Sequence, residues 1–173
     1  DQYHVMNHLT GKPSHEKRNV LVESARIARG NIKPLSAFHA GDFDAIVFPG
    51  GFGAAKNLST WAVDGDNAII HKDVENAVAG MLAAGKPIGA MCIAPVILGK
   101  LIPETVLTTG NDKASADYIR KMGSEYEKTT HGQVTIDREN KVFTTPCYML
   151  DATIVQIAEG TENLVREMMR FMI

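Results

Sequence analysis

The residues in this chain whose types and spacing can do chemistry centre on Cys92. Residues 89–94 (Gly-Ala-Met-Cys-Ile-Ala) end one apolar run and begin another. Small residues two positions before and two positions after the cysteine permit a sharp strand-to-helix turn with the thiol at its apex, as in a nucleophile elbow. Such a thiol lies near a helix N-terminus, which favours the thiolate. Cys92 is therefore a candidate catalytic nucleophile; the alternative is a small buried hydrophobic residue.

A glycine-rich segment follows the apolar run at 44–49 and is the second candidate for chemistry. Parallel strands bring their carboxyl ends to one edge of a sheet, so we expect Gly50 and Gly51 to lie beside Cys92 and bind substrate. The N–H groups of Gly51 and Ile93 are candidate donors of an oxyanion hole. Two alternatives stay open, a purely structural turn and a phosphate-binding loop, although the segment matches neither common glycine-rich phosphate motif.

Other reactive side chains are less informative. The simplest interpretation of Cys147 is a small packed residue after a strand, and the alternative is a resolving thiol for an oxidised Cys92, which requires disulfide geometry. We expect the loop acids Asp64, Asp66 and Asp112 to be solvated. The six histidines show no spacing typical of a metal site. The sequence therefore predicts no metal site, with His131 the histidine best placed to reach the sheet edge.

Strand-like and helix-like segments alternate along the chain. The strands are nearly continuous in apolar residues, which is typical of a mostly parallel sheet covered on both faces in an α/β fold. We predict strands over 44–49, 87–91 and 106–109, a hairpin of 133–137 with 141–145, and helices over 18–29, 73–84, 114–122 and 151–171, the last one bent near Gly160.

Length and composition indicate one domain over residues 1–173. The net charge of −2 and the absence of a basic arm or acidic tail argue against nucleic acid or a membrane surface as a partner. No apolar run approaches the roughly 18 residues of a membrane span. Two cysteines in a chain of 173 residues favour a reducing compartment, and hence a cytoplasmic location.

Several ordered motifs resemble the ElbB glyoxalase family, a branch of the PfpI and class I glutamine-amidotransferase-like superfamily. The match extends over essentially the whole chain, and together the motifs are far more specific than any one of them. They lie at residues 7–11, 18–21, 23–26, 48–59, 85–89, 92–95 and 141–146.

The resemblance implies a flavodoxin-like three-layer sandwich that usually forms a homodimer. It implies Cys92 as the nucleophile, Gly51 and Ile93 as backbone oxyanion donors, and a cofactor-free conversion of the small aldehyde glyoxal to glycolate, with deglycase-like chemistry. Bacterial members are linked by name to isoprenoid biosynthesis, and vertebrate relatives are mitochondrial. The expected location is thus cytoplasmic, or mitochondrial in a eukaryote.

The chain departs from the family pattern at its start. The family places a glutamate beside the cysteine, on the turn after the first strand, and residue 1 lies beyond that point, so we expect an N-terminal segment to be missing. Residues 1–173 alone should expose unpaired backbone at the active edge and should not form a stable monomer. In addition, no histidine follows the 106–109 strand, which argues against a Cys-His-Glu glutaminase.

Two functions remain open from the sequence. The first is a glyoxalase-like lyase in which Cys92 attacks a small reactive aldehyde. The second is a redox-sensing or interaction protein that uses an oxidisable Cys92 without significant turnover, because a low-pKa thiol at an elbow also suits a sulfenic acid sensor. Fold alone does not separate them, because function belongs to the site.

Overall fold

Eight short strands and seven helices build the part of the chain described by the computed structural model, residues 1–172. The strands are β1 (Met6–Asn7), β2 (Lys12–Pro13), β3 (Ile46–Phe48), β4 (Ile88–Met91), β5 (Val106–Leu107), β6 (Glu125–Tyr126), β7 (Thr135–Asp137) and β8 (Val142–Thr145). The helices are α1 (Val20–Ile27), α2 (Gly51–Gly53), α3 (Trp61–Asp64), α4 (Lys72–Ala83), α5 (Pro95–Leu101), α6 (Lys113–Lys121) and α7 (Ile154–Met169), with a π-helical turn at Ala54–Leu58 between α2 and α3.

The central sheet has the strand order β3-β4-β8-β7. Strands β3, β4 and β8 are parallel, whereas β7 runs antiparallel to β8 as the second arm of a hairpin. Strands β5 and β6 form a separate parallel pair, and β1 and β2 form a small antiparallel ribbon. The prediction of a mostly parallel α/β sheet with helices is confirmed, and the hairpin lies where its turn residues predicted it.

Two hydrophobic clusters cover the sheet. Helices α4 and α5 pack on the Ile88 and Ala90 side of β4, whereas Leu164 and Met168 of α7 pack with Met91 on the other side. Because successive strand residues point to opposite faces, a strand buried on both faces must be apolar throughout, as β4 is. Gly89 lets α7 lie close, since a Cβ atom there would be 2.7 Å from the Met168 sulfur.

Element boundaries differ slightly from the sequence predictions. Helix α7 runs without a break through Gly160, and this glycine serves a close approach: a Cβ atom there would lie 3.2 Å from the Thr145 hydroxyl. Within residues 1–172, β3 pairs with β4 alone, and Val47 is 38% exposed.

No helix in this part of the chain is both long enough and apolar enough to cross a membrane.

Asp137 is a buried carboxylate that ties the end of β7 to the start of β5. Its side chain accepts hydrogen bonds from the Thr105 hydroxyl at 2.7 Å, from the Val106 N–H at 3.3 Å and from the Asn140 N–H at 3.0 Å. Burial by itself raises the pKa of the Asp137 carboxyl, but the hydrogen bonds from Asn140, Thr105 and Val106 outweigh it and lower the pKa.

A lowered pKa in the folded state makes the stability depend on pH. The carboxylate stabilises the fold at every pH above the ordinary aspartate pKa of about 3.9, and this stabilisation is lost as the pH falls through the lower pKa of the folded protein. We expect Asp137→Asn to reduce the free energy of unfolding at pH 7 by about 1–3 kcal/mol, because an amide nitrogen then faces buried donors.

Urea denaturation of wild type and variant between pH 7 and pH 3 measures this effect. The difference in the free energy of unfolding should shrink toward the acid end, where the wild-type carboxyl becomes protonated. An equal difference at every pH would contradict the assignment of Asp137 as a stabilising carboxylate.

Candidate active site

Cys92 occupies the apex of a sharp turn between β4 and α5. Its φ of +60° lies in the left-handed region, which is uncommon for a residue other than glycine. The turn is held from the neighbouring strand, since the Cys92 N–H donates to the Thr145 carbonyl oxygen at 3.0 Å. Helix α5 then begins with Pro95 in its first turn, a position where proline is well tolerated. The predicted elbow geometry is thus present at this cysteine.

The glycine-rich segment after β3 packs directly against the elbow. Gly50 has a φ of +88°, and a Cβ atom there would lie 2.5 Å from the Met91 carbonyl oxygen and 2.8 Å from the Cys92 Cβ. Gly51, with a φ of +73°, begins α2. Glycine is required at position 50 because any side chain would collide with the turn that carries the thiol.

A pocket of about 320 Å³ opens at the half-buried Cys92 thiol. It brings together Gly51, Cys92 and Ile93, as the sequence predicted, and its walls are mainly apolar. The lining residues are Gly51, Phe52, Ala55, Trp61, Ala62, Cys92, Ile93, Asp112, Ala114 and Met149.

Both predicted oxyanion donors have N–H groups without a helix or sheet partner. Gly51 is the first residue of α2, where the N–H has no intrahelical acceptor. The Ile93 N–H makes no hydrogen bond to another residue within residues 1–172. Two backbone donors beside a nucleophile can stabilise the negative oxygen that forms when a carbonyl is attacked.

Asp112 corrects one prediction from the sequence. We expected it to be a solvated loop acid, but it is half-buried and lines the Cys92 pocket as the N-cap of α6. The chain after β5 leads into α6, and the N-cap Asp112 and the first-turn residue Ala114 of this helix both line the pocket. An aspartate three residues before Ser115 is an N-cap signal, and it could have placed Asp112 at the start of a helix. This signal does not show that Asp112 lies near Cys92. Asp64 and Asp66 are exposed, and Asp66 pairs with Lys121.

Cys147 lies beyond the end of β8 and packs on the α7 side of the sheet. Its sulfur is 4.0 Å from the Thr161 hydroxyl, and it contacts the cluster that includes Met91, whereas Cys92 packs with the cluster on the opposite side. Burial raises the pKa of the Cys147 thiol, and the proximity of Cys92 adds to this rise, while hydrogen bonds from Thr161 and the Cys92 N–H lower the pKa. The environment fits a packed residue with little thiolate.

This contrast predicts that Cys92 reacts with iodoacetamide faster than Cys147 near neutral pH. Cys92 lines an open pocket, whereas Cys147 lies outside this pocket and its raised pKa lowers the fraction of reactive thiolate. We expect a difference of about tenfold or more, measured by peptide mapping over time at several pH values.

The single variants Cys92→Ala and Cys147→Ala supply the control, because each leaves one thiol to be followed alone. Equal rates, or faster labelling of Cys147, would mean that Cys92 is a packed structural residue.

The histidines lie away from this pocket. None of them lines it, His131 is half-buried, and the other five are exposed. Within residues 1–172, no group of three or more histidine, cysteine, aspartate or glutamate side chains is arranged to hold a metal ion. The pocket's polar chemistry therefore rests on Cys92, Asp112 and backbone N–H groups.

Comparison with known proteins agrees with this geometry. No protein-family model matches the chain. The chain is 42% identical to human glutamine amidotransferase-like class 1 domain-containing protein 3, mitochondrial, over 97% of its own length and 66% of the human protein. It is 40% identical to the rat ES1 protein homolog, mitochondrial, over 97% of its length and 67% of the rat protein. The chain thus spans about two thirds of these curated relatives.

One solved structure is also similar in sequence. It is an isoprenoid biosynthesis protein with an amidotransferase-like domain from Ehrlichia chaffeensis, with a TM-score of 0.88 and 33% identity. The alignment covers 97% of this chain and 78% of that protein. Because relatives above 30% identity match almost the entire chain, and the solved structure among them shares its fold, the chain belongs to the ElbB and PfpI-like branch of the class I glutamine-amidotransferase-like superfamily.

Proposed function

We propose that this protein is a cofactor-free, cysteine-dependent glyoxalase-like enzyme that converts glyoxal to glycolate. The observation that carries the proposal is the left-handed Cys92 at the apex of its elbow, opening into a pocket shared with Gly51 and Ile93. A strained strand-to-helix turn that presents a half-buried thiol to a pocket is typical of a nucleophile. Cys147 also has a left-handed φ, of +44°, but it does not line this pocket.

The proposed reaction begins when the Cys92 thiolate attacks one aldehyde carbon of glyoxal. A carbon–sulfur bond forms, and the carbonyl oxygen becomes an oxyanion beside the Gly51 and Ile93 N–H groups. Protonation gives a hemithioacetal. A proton then moves from the attacked carbon to its neighbour, which yields the glycolyl thioester. Water hydrolyses the thioester, releasing glycolate and the free thiol.

The pocket favours a small neutral carbonyl compound over a phosphorylated ligand. Its walls are mainly apolar, and Asp112 is the one carboxylate among the lining residues. A carboxylate in this position repels phosphate groups, which weakens the alternative of a phosphate-binding loop at Gly50 and Gly51.

Incubation of the purified full-length protein with glyoxal tests the proposal. Glycolate should form catalytically without added cofactor, as followed by proton NMR. No glycolate above the rate of the buffer would contradict the proposed activity.

A second candidate function is redox sensing by Cys92. The observation in its favour is that the thiol is half-exposed at a pocket, where a peroxide can reach it. Intact-mass spectrometry after mild peroxide treatment separates the two functions. Stoichiometric oxidation of Cys92 with negligible aldehyde turnover would favour the sensor.

Assembly and location are proposals that follow from the family. We propose a homodimer, which sedimentation of the purified full-length protein tests directly. We propose a cytoplasmic location in a bacterium and a mitochondrial one in a eukaryote, since the human and rat relatives are named as mitochondrial.

A further inference from the structure

The Cys92 pocket contains one titratable side chain besides the thiol. Among the lining residues, Cys92 and Asp112 are the two that can exchange a proton. The remaining side chains on the pocket wall are alanine, isoleucine, methionine or aromatic residues, and the tryptophan N–H does not titrate. A proton transfer inside this pocket, by a residue of the described chain, therefore has to use one of these two groups.

The Asp112 carboxylate is held in a defined position. One oxygen, Oδ2, accepts from the Ser115 N–H at 2.8 Å and from the Ser115 hydroxyl at 2.6 Å. The Ser115 hydroxyl also lies 2.6 Å from the Thr109 hydroxyl, which in turn lies 3.1 Å from the Tyr126 hydroxyl. Ser115 and Thr109 are fully buried, so this chain of hydroxyl groups orients the carboxylate from behind.

The other carboxylate oxygen is free of protein donors. No hydrogen bond to Oδ1 is present within residues 1–172, whereas both bonds to Ser115 involve Oδ2. The bonds to Oδ2 fix the orientation of the carboxylate. Oδ1 has no protein hydrogen bond to give up before it accepts a proton. The role of helix N-cap explains the bonds to Oδ2. It does not explain why Asp112 also lines the Cys92 pocket.

We propose that Asp112 is a catalytic carboxylate of this site, which moves the proton between the two carbons of the Cys92-bound substrate. This inference rests on the proposed aldehyde chemistry. The carboxylate takes the proton from the carbon bonded to sulfur, and the electron pair of that C–H bond forms the double bond of an enediol as the neighbouring carbonyl oxygen takes a proton from water. Asp112 then returns its proton to the neighbouring carbon. The thioester forms as the hydroxyl group on the sulfur-bonded carbon gives its proton to water, so water gains and loses one proton. No oxidant or reductant is consumed.

A carboxylate is chemically suited to this step. The proton to be removed is adjacent to a carbonyl group, and a carboxylate base performs the same kind of transfer in triosephosphate isomerase. The proposal is distinct from the glutamate that the family resemblance implies, because Asp112 belongs to the α6 side of the pocket. It gives the pocket a carboxylate from the described chain.

The test compares Asp112→Asn with wild type and with Asp117→Asn in the full-length protein. Asparagine is as good an N-cap as aspartate, so the variant should keep the start of α6 while it loses the base. Asp117 is an exposed carboxylate on the same helix, outside the pocket, and provides the matched control. We expect Asp112→Asn to lower kcat for glyoxal by about 10²–10⁴-fold, the usual contribution of a general base, and Asp117→Asn to leave it unchanged.

A second measurement separates a catalytic from a structural role. After rapid mixing with glyoxal, native mass spectrometry without a denaturing step should find the Cys92 hemithioacetal in Asp112→Asn and not in the Asp112→Asn/Cys92→Ala double variant, because carbon–sulfur bond formation precedes the step that needs the base. A merely structural defect would slow adduct formation and turnover together, and that result would overturn the proposal. If the asparagine variant does not fold, Asp112→Glu provides the same comparison with a displaced carboxylate.

The outcomes distinguish this inference from the proposed function. Wild-type turnover with an equally active Asp112→Asn variant would overturn the role of Asp112 alone. Absence of turnover in wild type would overturn the proposed function and this inference with it. Wild-type turnover, a slow Asp112→Asn variant and an accumulated adduct would support both.

Discussion

Replacement of Cys92 by alanine is expected to abolish glyoxal turnover in the full-length protein. The thiolate is the atom that bonds to the substrate in the proposed reaction, and the loss of a nucleophile typically costs on the order of 10⁴-fold or more in kcat. The free energy of unfolding should change little, because alanine at position 92 has the same left-handed strain as cysteine. The hydrogen bond from the backbone N–H to the Thr145 carbonyl oxygen also stays in place. Steady-state glycolate formation and thermal melting are the two measurements.

Cys147→Ala is the matched control for this experiment. It also removes one thiol, but that of a residue outside the pocket, packed with the cluster on the α7 side, so it should keep most of the activity. Unchanged turnover in Cys92→Ala would contradict the assignment of the nucleophile. Loss of activity in both variants would instead indicate that the two cysteines act together.

Gly50→Ala should be the most damaging small substitution near the site. The new methyl group would lie 2.5 Å from the Met91 carbonyl oxygen and 2.8 Å from the Cys92 Cβ, and the backbone φ of +88° disfavours any side chain. We expect a loss of about 2–4 kcal/mol in the free energy of unfolding, as the sum of left-handed strain and overpacking. Because the contact is with the elbow itself, activity should fall as well.

Gly53→Ala, three residues later, is the control for this prediction. Gly53 has a φ of −60°, and a Cβ atom there would contact nothing within 4 Å. Alanine at such a position is expected to be neutral or to stabilise the fold by about 0.4–1 kcal/mol, because it restricts the unfolded chain. Urea denaturation of both variants measures the contrast, and equal stabilities would contradict the close packing of Gly50 on the elbow.

Much of the architecture could be predicted because it depends on short-range patterns. The apolar run before Cys92 marks a strand buried on both faces, and the turn residues 138–140 mark the hairpin between β7 and β8. Boundaries were less predictable: α1 begins at Val20 and ends at Ile27, inside the range expected from the sequence. The ends of a helix depend on capping and on neighbours as much as on its own residues.

The elbow at Cys92 and the glycines that let it pack against the end of β3 could be read from the sequence, because both follow from local backbone requirements. The side chains that surround the thiol could not, because folding brings them together from distant parts of the chain. Asp112 lines the pocket because the chain after β5 leads into the start of α6. Cys147 follows the end of β8 and packs with the hydrophobic cluster on the α7 side of the sheet. These placements depend on contacts between residues far apart in sequence. A pattern of residue types does not specify such contacts, because the same acid is equally compatible with solvent or with a pocket wall.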